Sequence, residues 1–337
     1  MKEAMLYEKL SDGKVKCNLC NHRCTIKDGN YGICGVRQNS DGSLYTLVYD
    51  KIIASHIDPI EKKPLFQFYP GSRAYSIATV GCNFKCKHCQ NSDISQFPRE
   101  KKGYIVGEEI GPGQIATEAE RAGCTSIAYT YTEPTVFFEL AYGTAQKARE
   151  KGIKNIFVSN GYMTPEALEK ISPYLDGINI DLKAFTETFY KEICGARLEP
   201  VLNTIKLSKQ LGIWVEVTTL VIPKRNDSSD ELRRIAEFIR GVDEGIPWHI
   251  SQFYPTYQLT NLPRTPVETL HRAREIGLES GLRYVYEGNV PGRGNENTYC
   301  HGCGEILIER WGYSILKNTI VEGQCPSCGS PVAGVGL

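Results

Sequence analysis

Residues 73–90 read RAYSIATVGCNFKCKHCQ, a short apolar run followed by three closely spaced cysteines. The run at 73–80 is rich in β-branched and apolar residues and is bounded by turn residues, which predicts a buried strand. Cys82, Cys86 and Cys89 then lie on the loop that leaves this strand. Three thiolates at this spacing can hold three irons of a 4Fe-4S cluster and leave the fourth iron free, whereas four thiolates close a cluster and make an electron carrier. The alternative is a zinc knuckle.

After this strand, the chain alternates apolar strands with helices. Further strands are predicted at residues 126–130, 155–159, 177–181, 214–220, 248–253 and 283–286. Helices are predicted between them at residues 134–150, 165–171, 187–193, 200–210, 229–240 and 267–280. This alternation predicts an α/β fold, a parallel sheet of βαβ units that closes into a partial (β/α)6 TIM-like barrel. Ligands in such folds bind at the carboxyl ends of the strands.

Polar side chains follow three consecutive predicted strands. They are Thr132 and Glu133 after the second strand, Ser159 and Asn160 after the third, and Asp181 and Lys183 after the fourth. Glu133 would accept a hydrogen bond from a ligand's ammonium group, Asn160 would bind its carboxylate or ribose, and Lys183 would pair with the carboxylate. Each residue alone can be explained by a turn, a helix cap or a helix start. The hypothesis of a binding site rests on all three strand ends together.

The cysteine spacing and these strand ends resemble the radical S-adenosylmethionine (radical SAM) superfamily, in particular the activating enzymes of glycyl radical enzymes. The resemblance covers residues 71–290. It implies an oxidoreductase whose 4Fe-4S cluster, on Cys82, Cys86 and Cys89, cleaves S-adenosylmethionine to a 5'-deoxyadenosyl radical. That radical would abstract a hydrogen atom from a protein or a small molecule, with flavodoxin or ferredoxin as electron donor. His88 would touch the adenine, and Tyr131-Thr132-Glu133 replaces the family's Gly-Gly-Glu.

Eight further cysteines form two groups outside this core. The predicted division is a cysteine-rich segment at 1–70, the radical SAM core at 71–290 and a zinc-ribbon-like module at 291–337. The C-terminal group, Cys300, Cys303, Cys325 and Cys328, forms two Cys-x2-Cys-Gly knuckles around a predicted hairpin, which favours zinc over an auxiliary iron-sulfur cluster. The N-terminal group is Cys17, Cys20, Cys24 and Cys34. Its spacing fits either zinc or a closed second cluster, and the sequence leaves both open.

The arrangement of both flanks around the core resembles the radical SAM members of the AmmeMemoRadiSam system. The motifs that carry this resemblance are Cys-x-Leu-Cys at 17–20, Gly-x-Cys-Gly-Val-Arg at 32–37 and Tyr-Thr-Glu-Pro at 131–134. The resemblance implies two companion proteins as partners. It does not indicate the substrate.

Composition excludes several other classes of protein. Lysine plus arginine and aspartate plus glutamate both number 39, so the charge gives no support for a zinc-binding nucleic-acid module. The N-terminus has no apolar signal core and the chain has no run of eighteen apolar residues, which predicts a cytoplasmic protein without a membrane partner. Eleven of the thirteen cysteines fall in metal-type groups, which opposes a disulfide framework.

The alternative function is an iron-sulfur electron-transfer or scaffold protein with closed clusters.

Overall fold

The computed structural model describes residues 1–290 and 295–337, and its centre is one eight-stranded sheet. Its strands are β1 (Ala54–Pro59), β2 (Arg73–Ala78), β3 (Ser126–Tyr129), β4 (Lys154–Ser159), β5 (Gly177–Asp181), β6 (Trp214–Val221), β7 (Trp248–Gln252) and β8 (Val285–Gly288). Their order in the sheet follows their order in the chain. β1 pairs with β2 in antiparallel fashion, and all later neighbours are parallel.

One long helix connects each pair of successive parallel strands. These helices are α1 (Pro112–Arg121), α2 (Phe138–Glu150), α3 (Pro165–Ile171), α4 (Leu198–Gln210), α5 (Ser229–Val242) and α6 (Val267–Glu279). Shorter helical turns cover Ser11–Gly13, Ile60–Lys62, Ser92–Ser95, Phe97–Glu100, Pro134–Phe137, Ser172–Tyr174, Glu187–Phe189 and Tyr190–Cys194. Six βαβ units in chain order confirm the predicted partial barrel. Within the described residues, the two edge strands β1 and β8 do not pair with each other, so the barrel stays open.

Two elements of this core were not predicted. Helix α1 buries only Ile115, Ala116 and Ala119, so its apolar face is small. Three of the six residues of strand β1 are exposed, because it is the antiparallel edge of the sheet. The seven predicted strands are present, with bounds that differ by no more than two residues at either end.

The N-terminal segment folds into small antiparallel sheets that pack on the helices of the barrel. One sheet joins Lys2–Glu3, Ser43–Thr46 and Arg37–Ser40, another joins Tyr7–Lys9, Val15–Cys17 and Thr25–Ile26, and Lys51–Ile52 pairs with Glu108–Glu109. A buried ion pair links Arg37 to Glu139 of α2 at 3.0 Å. The Thr164 hydroxyl caps α3 and also donates to the carbonyl of Asn18. The Cys17–Cys34 region is thereby fixed against the barrel.

The C-terminal module is a three-stranded antiparallel sheet of Thr298–Tyr299, Ile306–Trp311 and Ser314–Asn318. The predicted hairpin between the cysteine knuckles is present. The buried Arg310 donates to the carbonyls of Phe66 and Glu296, which ties this sheet to the segment between β1 and β2. Residues 291–294, inside the predicted boundary, lie outside the described residues. The division at residues 70 and 290 stays a prediction. Strand β1 lies within the predicted segment 1–70 but belongs to the central sheet.

No helix among the described residues is long and apolar enough to cross a bilayer.

Candidate active site at the strand ends

The loop with the three cysteines leaves β2 at its carboxyl end. Gly81 has φ +102°, and a Cβ there would lie 2.6 Å from the Val36 side chain, so the loop needs glycine at this position. The amides of Lys85 and Lys87 donate to the carbonyls of Cys194 and Ile193, at 2.8 and 3.0 Å. The middle of the loop is thereby held on the turn Tyr190–Cys194.

The three thiols sit in polar contacts that suit thiolate ligands. The Phe84 amide donates to Cys82 Sγ at 3.3 Å, and Cys89 Sγ lies 3.3 Å from the Ser95 hydroxyl. Burial raises the pKa of the Cys82 thiol, and a hydrogen bond with Cys194 together with burial raises that of Cys86. Deprotonation in this environment therefore calls for a bound cation. Three thiols on one loop, two of them with a polar group beside the sulfur, fit an iron-sulfur cluster.

A cavity of about 550 Å³ opens above these thiols at the carboxyl ends of the strands. All ten predicted residues of the cluster and ligand site line it: Cys82, Cys86, His88, Cys89, Thr132, Glu133, Ser159, Asn160, Asp181 and Lys183. The structure thus brings together residues that are up to about a hundred positions apart in the sequence. Their individual roles toward a ligand stay predictions.

Glu133 connects the ends of β3 and β4. Its Oε1 accepts from the Thr135 amide at 3.1 Å, the Thr135 hydroxyl at 2.5 Å and the Ser159 hydroxyl at 2.8 Å. Its Oε2 accepts from the Asn160 amide at 2.8 Å. Burial raises the pKa of Glu133, against these hydrogen bonds, which favour the carboxylate. Oε2 has two lone pairs and accepts one hydrogen bond within the protein, so it retains room for one more donor.

The residue before Thr132 and Glu133 has an unusual backbone conformation. Tyr131 has φ +59°, in the left-handed region that glycine adopts without strain. Its hydroxyl donates to Asp58 of β1, and Lys63 Nζ lies 4.6 Å from the centre of its ring. Tyr131 therefore adopts a left-handed conformation that is expected of glycine, and the hydrogen bond to edge strand β1 holds its side chain.

Asn160 and Lys183 are fixed by other side chains. Asn160 Nδ2 donates to Asn83 Oδ1 at 2.7 Å, next to the first cysteine of the loop. Lys183 Nζ pairs with Asp181 Oδ2 at 2.8 Å, and the Lys183 side chain is 13 % exposed. Both side chains are held in fixed positions along the cavity wall, as a ligand site requires.

His88 is buried against the cavity, and its Nδ1 has no hydrogen-bond partner in the described chain. Burial, with a smaller effect of Lys183, lowers the pKa of His88 to about 3, so the ring is neutral. A neutral ring with one unpaired nitrogen fits contact with the heterocycle of a ligand.

Several cavity residues come from segments that the sequence patterns did not indicate. Lys62, Lys63 and Pro64 also line the cavity, and Tyr313 reaches it from the C-terminal hairpin. Burial lowers the pKa of Lys63 to about 8, although its pair with Asp58 opposes this shift. These segments lie outside the strand and helix repeat, so no sequence signal placed them at the strand ends.

A second cavity of about 460 Å³ adjoins the first. It is lined by Phe66, Gln90, Tyr254, Glu287, Gly288, Asn289, Val290, Glu296, Gly312 and Tyr313. Gln90, Asn289 and Tyr313 line both cavities, so the two share a wall. The C-terminal module therefore contributes directly to the space beside the predicted ligand site.

The two flanking cysteine groups differ in geometry. In the C-terminal group, Cys300 and Cys328 have their Sγ atoms 3.6 Å apart, and Cys303 and Cys325 have theirs 3.7 Å apart. All four ligand atoms lie within 4.8 Å of one another, which fits one metal ion. The N-terminal group, Cys17, Cys20, Cys24 and Cys34, lines a separate small cavity.

Comparisons with known proteins agree with this arrangement. The family described as "Radical SAM superfamily" matches residues 76–239. The uncharacterized protein MJ0808 of Methanocaldococcus jannaschii is 48% identical over 98% of this chain and 99% of its own length. The pyruvate formate-lyase-activating enzyme of Clostridium pasteurianum is 22% identical over 65% of this chain and 93% of its own length.

Among solved structures, Streptococcus suis SuiB bound to S-adenosylmethionine has a similar fold. The TM-score is 0.51 at 14% sequence identity, over 68% of this chain and 53% of that one. At this identity the likeness concerns the fold alone. The family match covers the cysteine loop and the ends of β3, β4 and β5 that line the first cavity. The chain therefore belongs to the radical SAM superfamily.

Proposed function

We propose that this protein is a radical SAM enzyme that reductively cleaves S-adenosylmethionine and uses the resulting 5'-deoxyadenosyl radical to take a hydrogen atom from a polypeptide substrate. The observation that carries the proposal is the single cavity that contains three thiols and seven further predicted ligand-site residues. When bound, a 4Fe-4S cluster would supply an iron without a protein ligand and one electron, which an outside donor of the flavodoxin or ferredoxin class would provide. Methionine would leave as the C5'–S bond breaks.

The residues of the chain would bind and orient the cofactor. Glu133 Oε2 would accept from the ammonium group of S-adenosylmethionine, and Lys183 would attract its carboxylate. Asn160 would bond the carboxylate or ribose, and His88 would contact the adenine. Each of these side chains is held by partners within the protein or by burial, so little conformational entropy is lost when the ligand binds.

The second cavity would receive the substrate. It adjoins the first cavity, is partly open to the surface, and includes aromatic groups from Phe66, Tyr254 and Tyr313. The exposed Tyr254 and Tyr313 leave this cavity accessible to an extended segment of polypeptide, whereas a small molecule is usually surrounded on most sides. The similarity to a pyruvate formate-lyase-activating enzyme also supports a protein substrate.

Isotope transfer tests the class of substrate. The reduced, reconstituted enzyme is incubated with S-adenosylmethionine and an extract of native cells grown in deuterated medium, separated into macromolecules and filtrate. Deuterium should enter 5'-deoxyadenosine from the macromolecular fraction, because a C–D bond of the substrate is broken. Mass spectrometry of 5'-deoxyadenosine measures this transfer. Deuterium from the filtrate alone would contradict a polypeptide substrate, and formation of no 5'-deoxyadenosine would contradict the reaction itself.

The C-terminal group would hold one zinc ion. Its Sγ separations of 3.6 and 3.7 Å match a tetrahedral ion with Zn–S bonds of about 2.3 Å, which place neighbouring sulfurs about 3.8 Å apart. We expect Cys303→Ser to lose about one zinc per chain and to keep its iron, because one ligand of a closed tetrahedral site is replaced. Elemental analysis measures both metals.

Cys124→Ala is the matched control, because Cys124 is a buried cysteine outside all three groups. It should retain both zinc and iron. A loss of iron instead of zinc in Cys303→Ser would show that the C-terminal group holds an auxiliary iron-sulfur cluster.

A further inference from the structure

The N-terminal cysteines surround a cavity that the proposed reaction does not use. Cys17, Cys20, Cys24 and Cys34 line it together with apolar side chains that include Leu19, Ile26, Ile33 and Val136. Cys17 and Cys34 are buried, and the other two are partly buried. Four thiols that converge on one apolar space, with no disulfide between them, are typical of a metal centre rather than of a packed core.

The spacing of these thiols differs from that of the zinc-like group. Within residues 1–290 and 295–337, the C-terminal group is the only set of at least three such ligand atoms that all lie within 4.8 Å of one another. The N-terminal thiols are therefore more widely spread, like those of Cys82, Cys86 and Cys89. Thiolates around one zinc ion lie in contact at about 3.8 Å. In a 4Fe-4S cluster each thiolate binds a different iron, so the sulfurs stand further apart.

The cavity that the four cysteines line is larger than the space inside a closed zinc site. The cavity has a volume of about 20 Å³, and a cavity of roughly 10–15 Å³ by this measure already admits a water-sized body. A tetrahedral zinc site has no such space, because the four sulfurs enclose only the ion. The wall is apolar apart from the cysteines, His22, Arg37 and Thr135, so water gains few hydrogen bonds there.

Arg37 provides an independent indication of an anionic group in this cavity. Its Nη1 pairs with Glu139 at 3.0 Å and its Nη2 donates to the Met5 carbonyl at 2.8 Å. Its Nε is buried and has no hydrogen-bond partner among the described residues, although the side chain is only 2 % exposed and lines the cavity. A buried donor without a partner is costly. A cluster held by four thiolates is anionic and offers sulfur acceptors to such a donor.

We infer that Cys17, Cys20, Cys24 and Cys34 bind a second 4Fe-4S cluster, and that this cluster is closed because each iron has a protein thiolate. A closed cluster carries electrons and does not bind substrate. This inference decides between the two metals that the cysteine spacing alone left open. It does not depend on the proposed reaction, because the thiols belong to a different cavity.

The position of this site suits an electron carrier beside the first cluster. A Cβ at Gly81, the residue before Cys82, would lie 3.3 Å from the Cys34 carbonyl. His22 lines the N-terminal cavity, and its Nε2 lies 2.9 Å from the carbonyl of Asn83, the residue after Cys82. Both neighbours of Cys82 therefore contact the N-terminal site.

Iron and sulfide counts test the inference. The anaerobically reconstituted wild-type chain should contain about eight irons and eight sulfides, because two 4Fe-4S clusters are bound. The variant Cys82→Ala/Cys86→Ala/Cys89→Ala should keep about four of each. After reduction with dithionite, its electron paramagnetic resonance spectrum should not change when S-adenosylmethionine is added. Cys124→Ala should match the wild type.

A wild-type chain with about four irons and two zinc ions would overturn the inference, and this result needs no variant. A triple variant that folds, shown by its circular dichroism, and contains no iron would overturn it as well. These outcomes are distinct from failure of the proposed function. A chain with two clusters that does not cleave S-adenosylmethionine would contradict the reaction and leave the second cluster in place.

Discussion

Cys86→Ala is expected to lose the first cluster and all cleavage of S-adenosylmethionine. Cys86 is the central ligand of the loop and is buried in the cavity wall, so no other side chain of the loop can replace it. Two remaining thiolates would leave two irons without protein ligands. The iron content should fall by about four per chain, and 5'-deoxyadenosine should no longer form. Iron analysis and chromatography of the nucleoside measure these changes.

Cys194→Ala is the matched control for this loss. The Cys194 thiol contacts Cys86 and raises its pKa, but Cys194 does not line the cavity. We therefore expect Cys194→Ala to keep its iron and its activity. If it lost the cluster as Cys86→Ala does, Cys194 would be a fourth ligand, and the cluster would be closed as in an electron-transfer protein.

Glu133→Ala is expected to retain the cluster and to weaken the binding of S-adenosylmethionine by roughly tenfold to a hundredfold. The change removes the charged acceptor proposed for the ammonium group, and such hydrogen bonds contribute about 1.5 to 3 kcal/mol each. It also frees the Asn160 amide, which Glu133 Oε2 holds at 2.8 Å. The affinity can be measured by titrating S-adenosylmethionine into the reduced enzyme, with iron content determined in parallel.

Glu231→Ala separates this effect from a general loss of stability. Glu231 is also a buried carboxylate and accepts from the Phe185 amide at 2.5 Å, but it does not line the cavity. It should bind S-adenosylmethionine as the wild type does. Unchanged affinity in a folded Glu133→Ala variant would show that Glu133 only connects the two strand ends.

The strands of the core could be predicted because parallel strands are buried on both faces and form continuous apolar runs. β5, at Gly177–Asp181, begins and ends at the predicted residues. Helix α1 was missed because its buried face consists of Ile115 and two alanines. β1 was missed because three of its six residues are exposed, so this edge strand lacks such a run.

The cavity could be predicted in part for a topological reason. Because parallel strands end at one edge, residues after successive strands must lie close together, and Glu133, Asn160 and Lys183 do so. Lys63 and Tyr313 could not be predicted, since they arrive from segments outside the repeat. The metal at the N-terminal group could not be predicted either, because cysteine spacing along the chain does not determine how far apart the sulfurs lie in the fold.

The central claim is that one iron of the cluster on Cys82, Cys86 and Cys89 is open to S-adenosylmethionine. Electron paramagnetic resonance of the reduced chain, recorded before and after S-adenosylmethionine is added, tests this claim most directly. The signal of that cluster should shift, because the ligand binds an iron that no thiolate occupies. A spectrum that does not change at saturating S-adenosylmethionine would contradict an open iron and indicate that all clusters of the protein are closed.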